Sequence, residues 1–210
     1  DAYNTAVGAG AGQAVTTGAF NTLIGGLAGD ALTDGYDNVA VGKGALSTED
    51  RGAKNTAIGH EALTTQNAGT GNTHNTAVGA SAGAAVTTGV NNTLIGYDAG
   101  GSMTTGNANT AVGLSALGNA TVTGADNTAI GVGAGYSLTS GSNNLFLGHD
   151  SGRTGSPGGN ITTASNEIGL GDENISAANI QVDWTVASDQ RDKTDFTDLD
   201  LGLDFVKALA

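Results

Sequence analysis

The sequence predicts an all-β chain, a parallel β-roll or β-solenoid of about nine coils with a 17-residue period. Three observations carry this. The stretch Asn4-Thr5-Ala6-Val7-Gly8 returns in recognisable form from Asn21, Asn38, Asn55, Asn75, Asn92, Asn109, Asn127 and Asn144. Six of the eight steps between these asparagines are 17 residues, and the other two are 20 and 18. Gly makes up 36 of 210 residues while Pro occurs once, at Pro157, which suits tight coils rather than a linker. Lastly, the third residue of the motif is always Ala, Leu or Phe and the fourth always Val, Ile or Leu. A disordered tract has no reason to hold that register.

Within one unit the elements follow in order. The motif reads as a short strand of β-branched and small apolar residues. Its Gly makes a corner. Three residues on comes Ala in eight units (Ala11, Ala28, Ala45, Ala62, Ala82, Ala99, Ala116 and Ala134) and Ser151 in the ninth. A second Gly, as at Gly18, Gly35, Gly52, Gly89, Gly106, Gly124 and Gly141, precedes the next Asn by three residues and marks a turn that needs positive φ or close backbone approach. A helix is a poor alternative, because each interior Gly costs about 1 kcal/mol there. The nine asparagines are expected to stack as a structural ladder of amides rather than to catalyse. At about 4.8 Å per coil, nine coils give a rod roughly 43 Å long.

Alternation along the strand points the third residue to one side and the second and fourth to the other. Both sides carry apolar groups. One fills the interior of a thin roll, and the other needs a partner, so parallel chains intertwined or packed as a homotrimer are expected. A monomeric solenoid with a wider core is the alternative. Inserted residues should bulge outward, above all Gln66–His74.

The array spans 1–152, followed by a connector over 153–187 and a third segment over 188–210. In the connector, Gly155-Ser156-Pro157-Gly158-Gly159 is a breaker cluster, Asn166-Glu167-Ile168-Gly169-Leu170-Gly171 is a degenerate unit, and 180–186 alternates as a strand around Trp184. Nine of the 20 acidic residues lie between Asp172 and Asp204. Leu201, Phe205 and Leu209 are spaced by four, which predicts a short C-terminal helix.

Composition excludes several roles. A net charge of −13 without a basic stripe argues against nucleic acid. No run of 18 apolar residues exists, so no membrane insertion is expected. Without Cys there are no disulfides or thiolate metal sites. No cofactor is expected. His60-Glu61 and His149-Asp150 occupy matching positions after the strand Gly, where solvent-facing corners are expected rather than a metal site. An enzyme acting on external polysaccharide would need paired carboxylates in a cleft, and the array lacks them.

The motif repeated over residues 4–152 resembles the parallel β-roll of trimeric autotransporter adhesin heads, though with a longer coil. Farther on, Ser188-Asp189-Gln190-Arg191-Asp192-Lys193, followed by Leu201-Gly202-Leu203-Asp204-Phe205, resembles the start of the intramolecular chaperone (S74 peptidase) domain of phage tail fibres and tailspikes. That family trimerises, folds the preceding fibre and cuts itself off. The resemblance implies Ser188 as nucleophile, Lys193 as its general base and cleavage of the Ala187–Ser188 bond. Such a dyad is chemically sound, because a Ser hydroxyl needs an adjacent base and a buried Lys can serve as one. Residues 188–210 hold only the start of that domain, so this segment is expected not to cut by itself. Together the resemblances imply a structural segment of a viral tail fibre, extracellular on the virion, that engages a host-cell surface receptor or glycan.

Overall fold

The computed structural model describes residues 2–69 and 71–177. Residues up to Ile175 belong to one compact unit. It is a parallel β-solenoid with coils of about 17 residues, and the described residues contain no helix. In chain order the strands are β1 (Thr5–Val7), β2 (Thr22–Ile24), β3 (Val39–Val41), β4 (Gly52–Ala53), β5 (Thr56–Ile58), β6 (Gly71–Asn72), β7 (Thr76–Val78), β8 (Thr93–Ile95), β9 (Thr110–Val112), β10 (Thr128–Ile130), β11 (Leu145–Leu147) and β12 (Ile168–Leu170). Ten of them form one sheet in the order β1-β2-β3-β5-β7-β8-β9-β10-β11-β12, and β4 pairs with β6 in a second, small sheet. Pairing is parallel and in register, so Ala6 faces Leu23 and Val7 faces Ile24 on the neighbouring coil.

Each coil is counted here from its Asn as slot 1. Slots 1 and 3 point inward from β2 through β11, as does slot 8. The strand residue at slot 3 is buried in β2, β3, β5 and β7 through β11, as is the Ala at slot 8 from Ala28 through Ala134. The interior is filled by pairing large against small. Leu23 and Leu94 occupy slot 3 where most coils have Ala. A Cβ added to the slot-9 glycine of the same coil would approach those leucines closely: Gly29 at 2.8 Å from Leu23, Gly100 at 2.7 Å from Leu94. Where slot 3 is Ala40, Ala57 or Ala111, slot 9 is Leu46, Leu63 or Leu117, all fully buried. In the coils from Asn75 and Asn127, where slot 3 is Ala and slot 9 is Gly, neighbouring coils fill the space: a Cβ on Gly83 would lie 2.7 Å from Leu94 and 2.8 Å from Leu63, so close packing is met across coils rather than within each one.

The slot-5 glycines are obligatory for two reasons. Gly96 adopts a φ of 133°, and a Cβ there would lie 2.5 Å from the carbonyl oxygen of Gly113 on the next coil. The turn glycines differ. Gly18 is not among the residues at positive φ; its Cβ would lie 2.5 Å from the Gly35 carbonyl oxygen. Of the two reasons expected for Gly at the turn, close approach of neighbouring coils is the one that operates.

The unit after the ninth Asn joins the sheet as β12, but in a different register from the one its Asn suggests. Leu145 pairs with Ile168 and Leu147 with Leu170. Glu167, not Asn166, therefore stands in slot 1. Gly155–Gly159 loops out and Ile161 returns to the core. The expected strand around Trp184, the C-terminal helix and the whole of 188–210 lie outside the described residues.

Candidate functional site

Three features stand out above the bare scaffold: the asparagine ladder, the outer face of the sheet, and two polar clusters where the coil length departs from 17.

The ladder is continuous through backbone donors. The Oδ1 of each Asn accepts from the backbone N–H of slot 1 on the next coil, at 2.8 Å for Asn4 to Asn21 and 3.0 Å for Asn127 to Asn144. Asn38, Asn55, Asn75, Asn92 and Asn109 do the same, and Asn144 ends the series by accepting from Glu167 at 2.9 Å. The Nδ2 group donates across its own coil to the turn carbonyl, as from Asn21 to Gly35 at 2.8 Å and from Asn92 to Gly106 at 2.9 Å. One side chain thus satisfies a backbone donor and a backbone acceptor that would otherwise be orphaned inside the roll. Asn is the short residue with both functions.

Asn55 is the exception. Its Nδ2 has no partner, while Oδ1 accepts from Thr73 Oγ1 at 2.7 Å and from the Asn75 N–H at 3.0 Å. The reason is its coil of 20 residues, whose turn no longer brings a carbonyl to the amide. Slot 12 is polar on both sides of this break: Glu49 and Gln66 are fully buried where other coils place Leu32, Val86 or Met103. Glu49 Oε1 accepts from the N–H of Gly52 at 2.7 Å and of Arg51 at 3.3 Å. In the first coil the equivalent N–H groups of Thr17 and Gly18 donate to the Thr33 carbonyl on the next coil. Glu49 therefore replaces a backbone acceptor that the longer coil removes. Burial pushes its carboxyl upward, against the lowering effect of those N–H groups.

Outside, slot 4 forms a column along the sheet: Val7, Ile24, Val41, Ile58, Val78, Ile95, Val112, Ile130, Leu147 and Leu170. Seven of these are between 37% (Leu147) and 58% (Val7) exposed, and the three half-buried ones are Val41, Val78 and Val112. Thr sits beside most of them at slot 2. The single chain fills its interior but leaves this face uncovered.

The first cluster surrounds the 20-residue coil. Tyr36 Oη donates to Asn72 Oδ1 at 2.8 Å, and Lys54 Nζ lies 6.0 Å from the Tyr36 ring centre. Arg51 stands 3.9 Å from both the exposed Asp34 and the half-buried Asp50. The second cluster closes the array. Arg153 Nη1 donates to Asp150 Oδ1 at 2.6 Å, with its guanidinium 4.6 Å from the Tyr136 ring centre. His149 Nδ1 is 3.0 Å from Asp172 Oδ2 and 3.8 Å from Asp150. The Asp172 hydrogen bond, then the Asp150 charge, holds the His149 imidazole above its ordinary value. Reciprocally, His149 and then the Asn174 N–H hold Asp172 below the usual carboxylate range. This cluster borders a hollow of about 260 Å³ lined by Leu114, Ser115, Val132, Gly133, Tyr136, His149, Asp150 and Arg153. Sequence reading singled out His149 and Asp150, but missed Arg153, Tyr136 and Asp172. Coil period places Tyr136 and Arg153 both at slot 10, a signal present in the sequence once the slots are numbered.

His60 and Glu61 are side by side at 3.7 Å and about half exposed. Among the described residues no three His, Asp, Glu or Cys side chains converge as a metal set. Ser188 and Lys193 lie outside the described residues. Comparison with protein-family models, curated proteins and solved structures gave no match.

Proposed function

We propose that the chain is a structural, host-receptor-engaging segment of a viral (phage) tail fibre, working as a homotrimer and leading into a self-cleaving folding chaperone. The observation that carries the trimeric reading is the uncovered slot-4 column. It runs over ten strands in one sheet at a strand spacing of about 4.8 Å, so it offers an apolar stripe roughly 43 Å long. An exposed apolar stripe of that extent marks an interaction surface. Its regular repeat matches itself best, and copies related by a closed rotation would cover it on every chain. Stiffness follows from the laddered coils, and adhesion from loops repeated around the axis, which raises avidity. The fibre assignment rests on the Ser188–Lys193 motif.

A second reading is a bacterial trimeric autotransporter-type adhesin head, favoured by the strand motif alone. Two measurements separate the readings. Sedimentation equilibrium is expected to give a trimer; a monomer at micromolar concentration sinks the covered-face argument. The parent protein extended beyond Ala210 is expected to run as two fragments on a denaturing gel and as one when Ser188→Ala is introduced. Equal sizes for both remove the chaperone and leave the adhesin reading standing.

A further inference from the structure

The hollow beside Tyr136 is not needed by the fold. It lies past the slot-5 glycine corner, away from the slot-4 column. One side is apolar: Leu114 and Val132 are exposed and stand at slot 6 on consecutive coils. His149 continues the same slot-6 column on the next coil, and Asp150 and Arg153 supply the polar groups beside it.

The polar groups hold one another in place. Asp150 Oδ1 fixes Arg153 through Nη1, Arg153 covers the Tyr136 ring, and Asp172 fixes His149. Each keeps capacity to spare. A carboxylate has about four acceptor sites and a guanidinium five N–H donors, so Asp150 and Arg153 can still bond outward. Groups already oriented lose less entropy on binding. The two permanent charges lining the hollow cancel, since Asp150 is paired with Arg153. A strongly charged ligand gains little there. What fits is a small, neutral, amphipathic ring, with C–H groups for Leu114 and Val132 and hydroxyls for Asp150, Arg153 and His149. At about 260 Å³ the space admits one ring rather than an extended chain.

We propose that this hollow binds a single neutral pyranose unit of a surface polysaccharide. This rests on the receptor-engaging reading above and names its ligand and its site. The larger hollow of about 350 Å³ beside Asp126, Asn143 and Glu167 includes strand residues Thr128, Leu145 and Ile168 on the sheet face, which the trimer would cover.

The test is saturation-transfer NMR on the whole chain with methyl glucoside, methyl galactoside, methyl mannoside and N-acetylglucosamine, each at millimolar concentration. At least one is expected to receive saturation from the protein. Val132→Arg fills the apolar side from an exposed position, so its melting curve should match the wild type while its affinity falls roughly tenfold or more. Leu114→Asp serves as the second variant. Binding by none of the four sugars overturns the proposal, as does unchanged affinity in both variants or a preference for hexuronates over the neutral rings. Adhesion to bacterial cells separates this from the wider reading. Equal adhesion by wild type and Val132→Arg removes the hollow and leaves attachment intact. Sugar binding without adhesion to any cell keeps the hollow and removes attachment.

Discussion

The coil from Asn92 and the coil from Asn55 meet the same demands with different groups. The first is regular. Leu94 fills slot 3 against Gly83 and Gly100, Met103 fills slot 12, and Asn92 Nδ2 reaches both the Gly106 carbonyl and Asn75 Oδ1. The second carries three extra residues. Its Asn amide is unpartnered, Gln66 takes slot 12, and Glu49 beneath it supplies the acceptor that stacking would have given. The regular coil gets its polar satisfaction from the next coil. Around the long coil it comes from side chains that are costly to bury, Glu49 of the preceding coil and Gln66 and Thr73 of the long coil itself. The 18-residue coil from Asn109 needs no such help, since its Nδ2 still reaches the Gly124 carbonyl at 3.0 Å, so it is the three-residue excess that calls for polar replacements.

The sharpest way to break this comparison is a pair of glycines with the same φ of 133°, Gly96 in the regular stack and Gly71 in the excursion. A Cβ on Gly96 meets the Gly113 carbonyl oxygen at 2.5 Å, whereas nothing lies within 4 Å of one on Gly71. Gly96→Ala is expected to cost more than about 3 kcal/mol, because strain and collision add. Gly71→Ala should cost only about 1–2 kcal/mol, the strain alone. Equal losses in urea titrations would mean that stacking is not what selects Gly.

The ladder offers a second contrast. Asn→Asp keeps the acceptor and removes the Nδ2 donor. At Asn92 this leaves the buried Gly106 carbonyl facing a carboxylate, and a loss of about 2–3 kcal/mol is expected. At Asn55 no Nδ2 bond is lost, so Asn55→Asp should cost clearly less in the same assay. The reverse order would show that the long coil brings up a partner for Asn55.

Glu49 gives a pH signature. Its carboxyl is raised by burial, so the folded state holds the proton more tightly than the unfolded chain. The associated stability is full below the ordinary glutamate value and is lost as pH rises through the raised one. Glu49→Gln should flatten that part of the stability–pH curve. A mutant curve parallel to the wild type would show that Glu49 ionises normally.

The smallest effect belongs to the last rung. His149 is raised above 6.5, so its support is present below that value and fades as pH climbs through the folded value. Amide exchange at Gly171, whose N–H donates to the Leu147 carbonyl, should show protection that declines over this window. His149→Ala should remove the decline. Exchange that stays pH-dependent beyond the intrinsic rate in that variant assigns the effect to another group.

Much of the scaffold was legible because the repeat is strict. Asn at slot 1, Gly at slot 5 and Ala at slot 8 announced a coil, but of the stretch Gln66–His74 expected to bulge outward, Gln66 and Thr73 are buried, because they bond to Asn55 inside the roll. Less legible was the exchange of volume between slots 3 and 9, since Leu94 and Gly100 are six residues apart and meet only when the coil closes. Glu49 gave no sign of burial, because a glutamate between Thr48 and Asp50 reads as surface. Within the degenerate unit, Glu167 takes slot 1. Asn166 looks like the repeat marker, but the 23-residue spacing carried by Asn144 Oδ1 selects the next residue.

The sequence by itself determined the period, the strand sites and the glycines, because these follow from local alternation and from residues that tolerate only one backbone shape. Tertiary structure decided which polar groups are buried, which strand face is left open, and that Tyr136, Asp150, Arg153 and Asp172 gather beside His149. Stacking made those choices, since a coil's hydrogen bonds and neighbours come from the coil above it, about seventeen residues away.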